Sequence, residues 1–187
     1  MALQPHFEFR SPTQIMHGPG SRAQLADFLG KQKPLIVTDK GLVKAGIVDK
    51  VLDVLTRAGI GSVLFDGALP NPPARCVHSG ERLYKKAQCT AIVAVGGGSP
   101  MDVAKMIGVV VGHGGRIENY LGANKVPGAI PPLYCLSTTY GTGSEVTPFA
   151  VLTNPKTQNK DPVISWHIAP LVGILDPELC AALPLSV

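Results

Sequence analysis

The stretch "TAIVAVGGGSPMDVAK", Thr90 to Lys105, constrains the fold more than any other part of this chain. Its apolar, partly β-branched run reads as a strand buried on both faces. That run passes directly into Gly96, Gly97 and Gly98, and helical spacing begins at Ser99 and Pro100. Ser99 stands where an N-cap belongs, Pro100 suits the first helical position, and Asp102 brings a carboxylate to the positive helix end. Val103, Met106, Ile107 and Val110 then form the stripe that faces the sheet. Glycines at such a junction let backbone N–H groups approach a phosphate at a helix N-terminus, so a diphosphate cradle is expected. The spacing is neither GxGxxG nor the GxxxxGK of P-loops, and a tight turn that binds nothing is the alternative. Lys105, three residues after Asp102, reads as one half of an exposed ion pair.

Further runs of strand length are "PLIVT" (34–38), "SVLFD" (62–66), "PLYCL" (132–136) and "VGILD" (172–176). Helical patterns separate the first three strands. "GLVKAGIVDKVLDVLTRAG" puts Val43, Ile47, Val48, Val51, Leu52 and Leu55 on one stripe, and "ARCVHSGERLYKKA" is a weaker one with Val77, Leu83 and Tyr84. Strand and helix in alternation imply an α/β fold: a Rossmann-like parallel sheet with flanking helices and right-handed crossovers. Ahead of it, "HFEFR" alternates like a strand to which "TQIMHG" could pair. "GSRAQLADFLG" begins a helix, with Ser21 and Gln24 in capping-box spacing and Gly30 closing it. "FAVLTNPKTQNKDPVIS" adds a β-hairpin around an Asn-Pro-Lys-Thr-Gln turn. "ILDPELCAALPLSV" opens a helical turn after Asp176 and no closing element follows, which suggests a fragment.

The chain has 187 residues, 45% hydrophobic and 16% charged, enough for one domain with a real core. Its net charge of +4 comes from scattered lysines and arginines, so neither nucleic acid nor a membrane surface is an expected partner. Cys76, Cys89, Cys135 and Cys180 form no close pair and read as reduced thiols, which points to a cytoplasmic location. The five histidines never fall three or four apart, so neighbouring residues build no metal site.

Two more features stand at the ligand-binding edge of such a sheet. Asp39 ends the first parallel strand, where a carboxylate can accept hydrogen bonds from ribose hydroxyls and repel a 2′-phosphate; capping the following helix is its other reading. In the ordinary fingerprint the acid follows the glycines, whereas here it precedes them. "STTYGTGSEVT" (137–147) brings the hydroxyls of Thr138, Thr139, Thr142 and Ser144 to the same edge, as a polar ligand site or as a capped turn.

Together, "LIVTDKGLVKAGIVDKV", "LPNPP", "AIVAVGGGSPMDVAK", "STTYGTGSEVTPFAVLTN" and "ILDPELCAALP" resemble the iron-containing (group III) alcohol dehydrogenases, over nearly the whole chain. The resemblance implies a dehydroquinate synthase-like N-terminal dinucleotide-binding domain over residues 1–187, with NAD as cofactor. It implies that Asp39 binds the adenosine ribose, that Asn71 lies near the cofactor, and that Gly97, Gly98 and Ser99 hold the pyrophosphate with Asp102 behind. Thr138, Thr139 and Thr142 would line the cleft with Ser144 nearby. Val151 and Lys160 would close over the ribose on the nicotinamide side, Leu179 would touch the cofactor, and Phe149 would border the substrate pocket. Tyr140 stands where small residues are common, which bears on the width of the cleft near the nicotinamide.

The family's divalent metal, iron or zinc, is held by an Asp and three His in a helical C-terminal domain. The first ligands are expected soon after the "LP" matching Leu183-Pro184, beyond Val187, so no metal ligand and no catalytic residue is expected in this chain. The implied function is the NAD-binding half of a metal-dependent alcohol dehydrogenase or aldehyde reductase, in a homodimer or higher assembly, acting on a small alcohol or aldehyde. The 187 residues alone are expected to bind cofactor weakly and not to turn over. A non-catalytic dinucleotide-binding module and a lyase-type relative on the same fold are the alternatives.

Overall fold

A computed structural model describes residues 10–153 and 159–181. Six strands form the main sheet: β1 (Gln14–His17), β2 (Pro34–Val37), β3 (Val63–Phe65), β4 (Ala91–Gly96), β6 (Leu133–Ser137) and β9 (Val172–Leu175). Their order is β1-β9-β6-β4-β2-β3, and every pairing is parallel. A three-stranded sheet beside it joins β5 (Gly122–Ala123), β8 (Lys160–Ile164) and β7 (Phe149–Thr153), with β7 and β8 antiparallel. The helices are α1 (Leu25–Leu29), α2 (Lys40–Lys44), α3 (Ile47–Arg57), α4 (Ala74–Lys86), α5 (Gly98–His113) and α6 (Pro177–Cys180).

All five strands expected from the apolar runs are present; both faces are covered along β2, β4, β6 and most of β9, while Leu64 of the edge strand β3 is exposed. One face packs Leu35, Val37, Ile92, Ala94 and Cys135 against α4 and α5, and Ala150, Leu152 and Val163 of the hairpin join the same cluster. The other face packs Ile36, Val93, Val95 and Leu136 against Leu25 and Leu29 of α1, Val48 and Val51 of α3, and Leu179 of α6. From β2 the chain steps outward to β3 and then returns to β4 on the other side of β2. The strand order therefore reverses between β2 and β4, where open α/β sheets bind ligands beyond the carboxyl ends of their strands.

Two local expectations are corrected. The 41–59 pattern is two helices rather than one, because Gly46 takes a left-handed φ of 70° between α2 and α3. Ser21 and Gln24 make no capping box: they sit inside a 3-10 turn that starts after Gly20, and the Ser21 hydroxyl is buried without a partner. Gly30 does close α1. "TQIMHG" supplies β1, which lies parallel to β9 at the edge of the main sheet; most of "HFEFR" lies outside the described residues. So do the Asn-Pro-Lys-Thr-Gln turn and Leu183-Pro184.

Candidate functional site

The cradle is built where β4 runs into α5, and each of its three glycines has a separate reason. Gly96 has a φ of 155°, and a Cβ there would lie 2.6 Å from the Pro100 ring. A Cβ on Gly97 would lie 2.6 Å from Thr139 Oγ1, so this backbone must pass close under the loop that follows β6. The atoms nearest to a Cβ on Gly98 would be Thr142 Cγ2 at 3.4 Å and Ser144 Oγ and Thr142 Cβ at 3.6 Å, an ordinary contact, on a residue that lines the cavity.

Ser99 is not the N-cap. Gly97 is, and no side chain caps α5. The reason is steric: with Gly96 and Gly97 making the turn, helical geometry already starts at Gly98, and Ser99 falls inside the first turn. An uncapped helix start leaves N–H groups of that turn without intrahelical acceptors, a partial positive charge aimed at whatever lies beyond.

What lies beyond is a cavity of about 940 Å³ along the carboxyl ends of β3, β2, β4 and β6. Asp39, Gly97, Gly98, Ser99, Thr139 and Thr142 all line it. Asp39 Oδ1 accepts a hydrogen bond from Leu42 N–H at 3.0 Å and so caps α2, while its carboxylate still faces the cavity. The two readings of Asp39 are therefore compatible. Beneath the cradle, the hydroxyls of Thr138 and Thr139 are buried and unpartnered. Uncapped backbone N–H groups, orphaned hydroxyls and a cavity lined by Gly97 and Gly98 suit the diphosphate and ribose of a dinucleotide.

Asp102 and Lys105 lie behind this surface. Lys105 is not the exposed partner in an ion pair: its side chain has no exposure at all. Its Nζ donates to Thr147 O at 2.8 Å and Phe149 O at 2.7 Å. Asp102 Oδ2 accepts from Val151 N–H at 3.1 Å, and Oδ1 accepts at 3.5 Å from the Ser144 hydroxyl. One acid and one base on α5 thus hold the segment from the GTGSE loop into β7. Burial pushes the Asp102 carboxyl up and the Lys105 ammonium down, in each case against the attraction of the other. Cys135 is buried beside them, and burial pushes its thiol up to about 12, which makes it inert.

The remaining expected residues are spread around this centre. Ser144 and Val151 belong to the Asp102 network and do not line the cavity. Asn71 is exposed with a φ of 50°, beside Pro72, whose carbonyl accepts from Thr153 N–H at the end of β7. Lys160 is exposed at the start of β8, opposite Thr153, and Phe149 is half-exposed at the start of β7. Leu179 is fully buried in the cluster that includes α3 and does not line the cavity. The wall also contains Asp66, Arg75 and Ser79, which sequence reasoning did not place there, and Tyr140, which it placed near the nicotinamide end of the cleft. Nothing in the local pattern marks the first three.

Among the described residues no group of three or more His, Cys, Asp or Glu side chains could hold a metal ion, so these residues do not fit a metal centre. The four cysteines are free thiols. Among the described residues no helix is long and apolar enough to cross a membrane.

A reversal of strand order, with a glycine turn into a bare helix start and an acid just beyond the neighbouring strand, defines the class: an open, Rossmann-like α/β domain with a ligand-sized cavity at its switch point. Residues 12–177 match the family model for iron-containing alcohol dehydrogenases, and the chain belongs to that family. It is 45% identical over 193 residues to the choline dehydrogenase of Bacillus subtilis (strain 168), covering 98% of this chain and 47% of that protein. A crystal structure of a 1,3-propanediol oxidoreductase superposes with a TM-score of 0.91 at 41% identity, over 97% of this chain and 48% of that one. The sulfoacetaldehyde reductase from Bifidobacterium kashiwanohense, solved in complex with NAD+, gives a TM-score of 0.89 at 34% identity, over 97% and 49%. The chain spans about half the length of the relatives it matches.

Proposed function

We propose that this chain is the dinucleotide-binding part of an NAD-dependent alcohol dehydrogenase or aldehyde reductase. The observation that carries the reading is the bare start of α5 opening on a cavity that Asp39 also lines. Gly97, Gly98 and Ser99 hold the diphosphate through backbone N–H groups, and Thr142 closes over it from the facing loop. Thr138 and Thr139 offer their unpartnered hydroxyls to the cofactor from beneath. Asp39 accepts from the hydroxyls of the adenosine ribose. Val151 and Lys160, on the hairpin, stand on the nicotinamide side with Asn71, and Phe149 borders the substrate. Asp102 and Ser144 position the loop rather than touch the ligand, and Leu179 belongs to the buried core.

Bound NAD supplies the hydride acceptor for oxidation of an alcohol, and NADH the donor for the reverse. What this chain contributes is position: a fixed diphosphate and an oriented ribose. No described side chain stands out as a general base, and with no metal ligand set among the described residues no step is assigned to a metal. The whole protein is read as a cytoplasmic homodimer or larger assembly acting on a small alcohol or aldehyde, with no nucleic-acid or membrane partner.

A fluorescence titration with NADH, and with NADPH in parallel, tests this reading. Saturable binding that favours NADH is expected; a folded sample that binds neither would overturn it. Asp39→Gly should raise the affinity for NADPH relative to NADH by about tenfold, through removal of a like charge from the 2′-phosphate. Glycine is a tolerated N-cap, so the cost to α2 should be only a few tenths of a kcal/mol. Unchanged relative affinities would remove the ribose role.

A further inference from the structure

Tyr140 is the most exposed large apolar side chain among the described residues, at 74%, yet it lines the cavity. It comes directly after the unpartnered Thr138 and Thr139 and directly before Gly141, whose φ of 102° turns the chain away from the cleft. The Cys180 thiol of α6 lies 3.7 Å from the carbonyl of Ser137, at the end of β6. Its interaction with the Tyr140 hydroxyl pushes that phenol up. Tyr140 therefore stands on the α6 face of the sheet. The hairpin packs on the other face, with α4 and α5.

This asymmetry assigns the two ends of the ligand. In the reading above, the nicotinamide half lies toward the hairpin, beside Val151 and Lys160. The diphosphate is fixed at the start of α5, so the adenosine half leaves on the opposite face. Asp39, which caps α2 in front of α3, lies on that side too. A purine leaving the cradle there passes Tyr140, whose side chain is open to solvent. Aromatic rings bind purines by stacking, which needs the flat face and not the hydroxyl.

We propose that Tyr140 stacks on the adenine ring of the bound dinucleotide and sets the adenosine affinity of this site. The proposal rests on the dinucleotide reading. Its test is displacement of bound NADH from the full chain by ADP and by reduced nicotinamide mononucleotide, in wild type, Tyr140→Ala and Tyr140→Phe. Tyr140→Ala should weaken NADH and ADP binding alike by about tenfold, equivalent to about 1.4 kcal/mol, and leave the mononucleotide unaffected. Tyr140→Phe should match wild type for all three. Wild-type binding of NADH with no loss in Tyr140→Ala would overturn this inference alone. A loss confined to the nicotinamide mononucleotide would put the ring on the wrong half and overturn it as well. A wild-type chain that binds none of the three overturns the dinucleotide reading, and this inference with it.

Discussion

Lys105→Met should lower the free energy of unfolding by about 3 kcal/mol, seen as an earlier urea midpoint at an unchanged slope. For a domain of this size that is about 6–12 °C in Tm. Methionine fills nearly the same volume, so the loss is not one of packing. It comes from three groups at once. Thr147 O and Phe149 O lose the donor that the fully buried Lys105 brings to them, and Asp102 loses the opposite charge within its reach.

The pH dependence gives a signature that a packing defect would lack. Burial already raises the Asp102 carboxyl, and removing Lys105 raises it further. A carboxyl whose folded value lies above its unfolded one contributes stability in acid and loses it as pH rises through the folded value. The deficit of Lys105→Met should therefore be smaller at about pH 4 than at about pH 7. Adding Asp102→Asn to Lys105→Met should recover part of the loss at neutral pH. A deficit under about 1 kcal/mol, independent of pH, would mean that water reaches these carbonyls and the clamp is weak.

That clamp also marks where sequence reading ran out. The central strands were legible because parallel strands covered on both faces are apolar throughout, the edge strand β3 because its run is apolar despite the exposure of Leu64, and the glycine turn because backbone there must pass another loop. Lys105 was misread because an i, i+3 pairing rule presupposes an exposed helix face. The contrary signal was present: Met101, Val103, Ala104, Met106, Ile107, Val109 and Val110 leave α5 almost no polar side, and a lysine inside such a helix is buried. Ser99 was misread by two residues, since Gly96 and Gly97 complete the turn earlier than a serine cap would. The side of the sheet on which Tyr140 lies depends on Cys180, far away in sequence, and no local pattern carries that.

The glycines give the sharpest separation of fold from function. Gly98→Val should weaken NADH binding by more than about 100-fold while shifting stability by less than about 1 kcal/mol. Position 98 is the first residue of α5, its backbone is not in the left-handed region, and its Cβ would meet Thr142 and Ser144 at ordinary contact distance. A side chain is therefore tolerated by the chain itself. Its γ-carbons, however, would stand in front of the helix start, where the diphosphate has to approach the backbone. Gly98→Ala, with only the Cβ, should show a smaller loss in the same direction. Gly97→Val cannot serve as this test, because its Cβ would fall 2.6 Å from Thr139 Oγ1 and displace the loop whatever binds there. Near wild-type affinity in a folded Gly98→Val variant would mean that the diphosphate does not sit at this helix start, and that the glycines answer only to the passage of one loop beneath another.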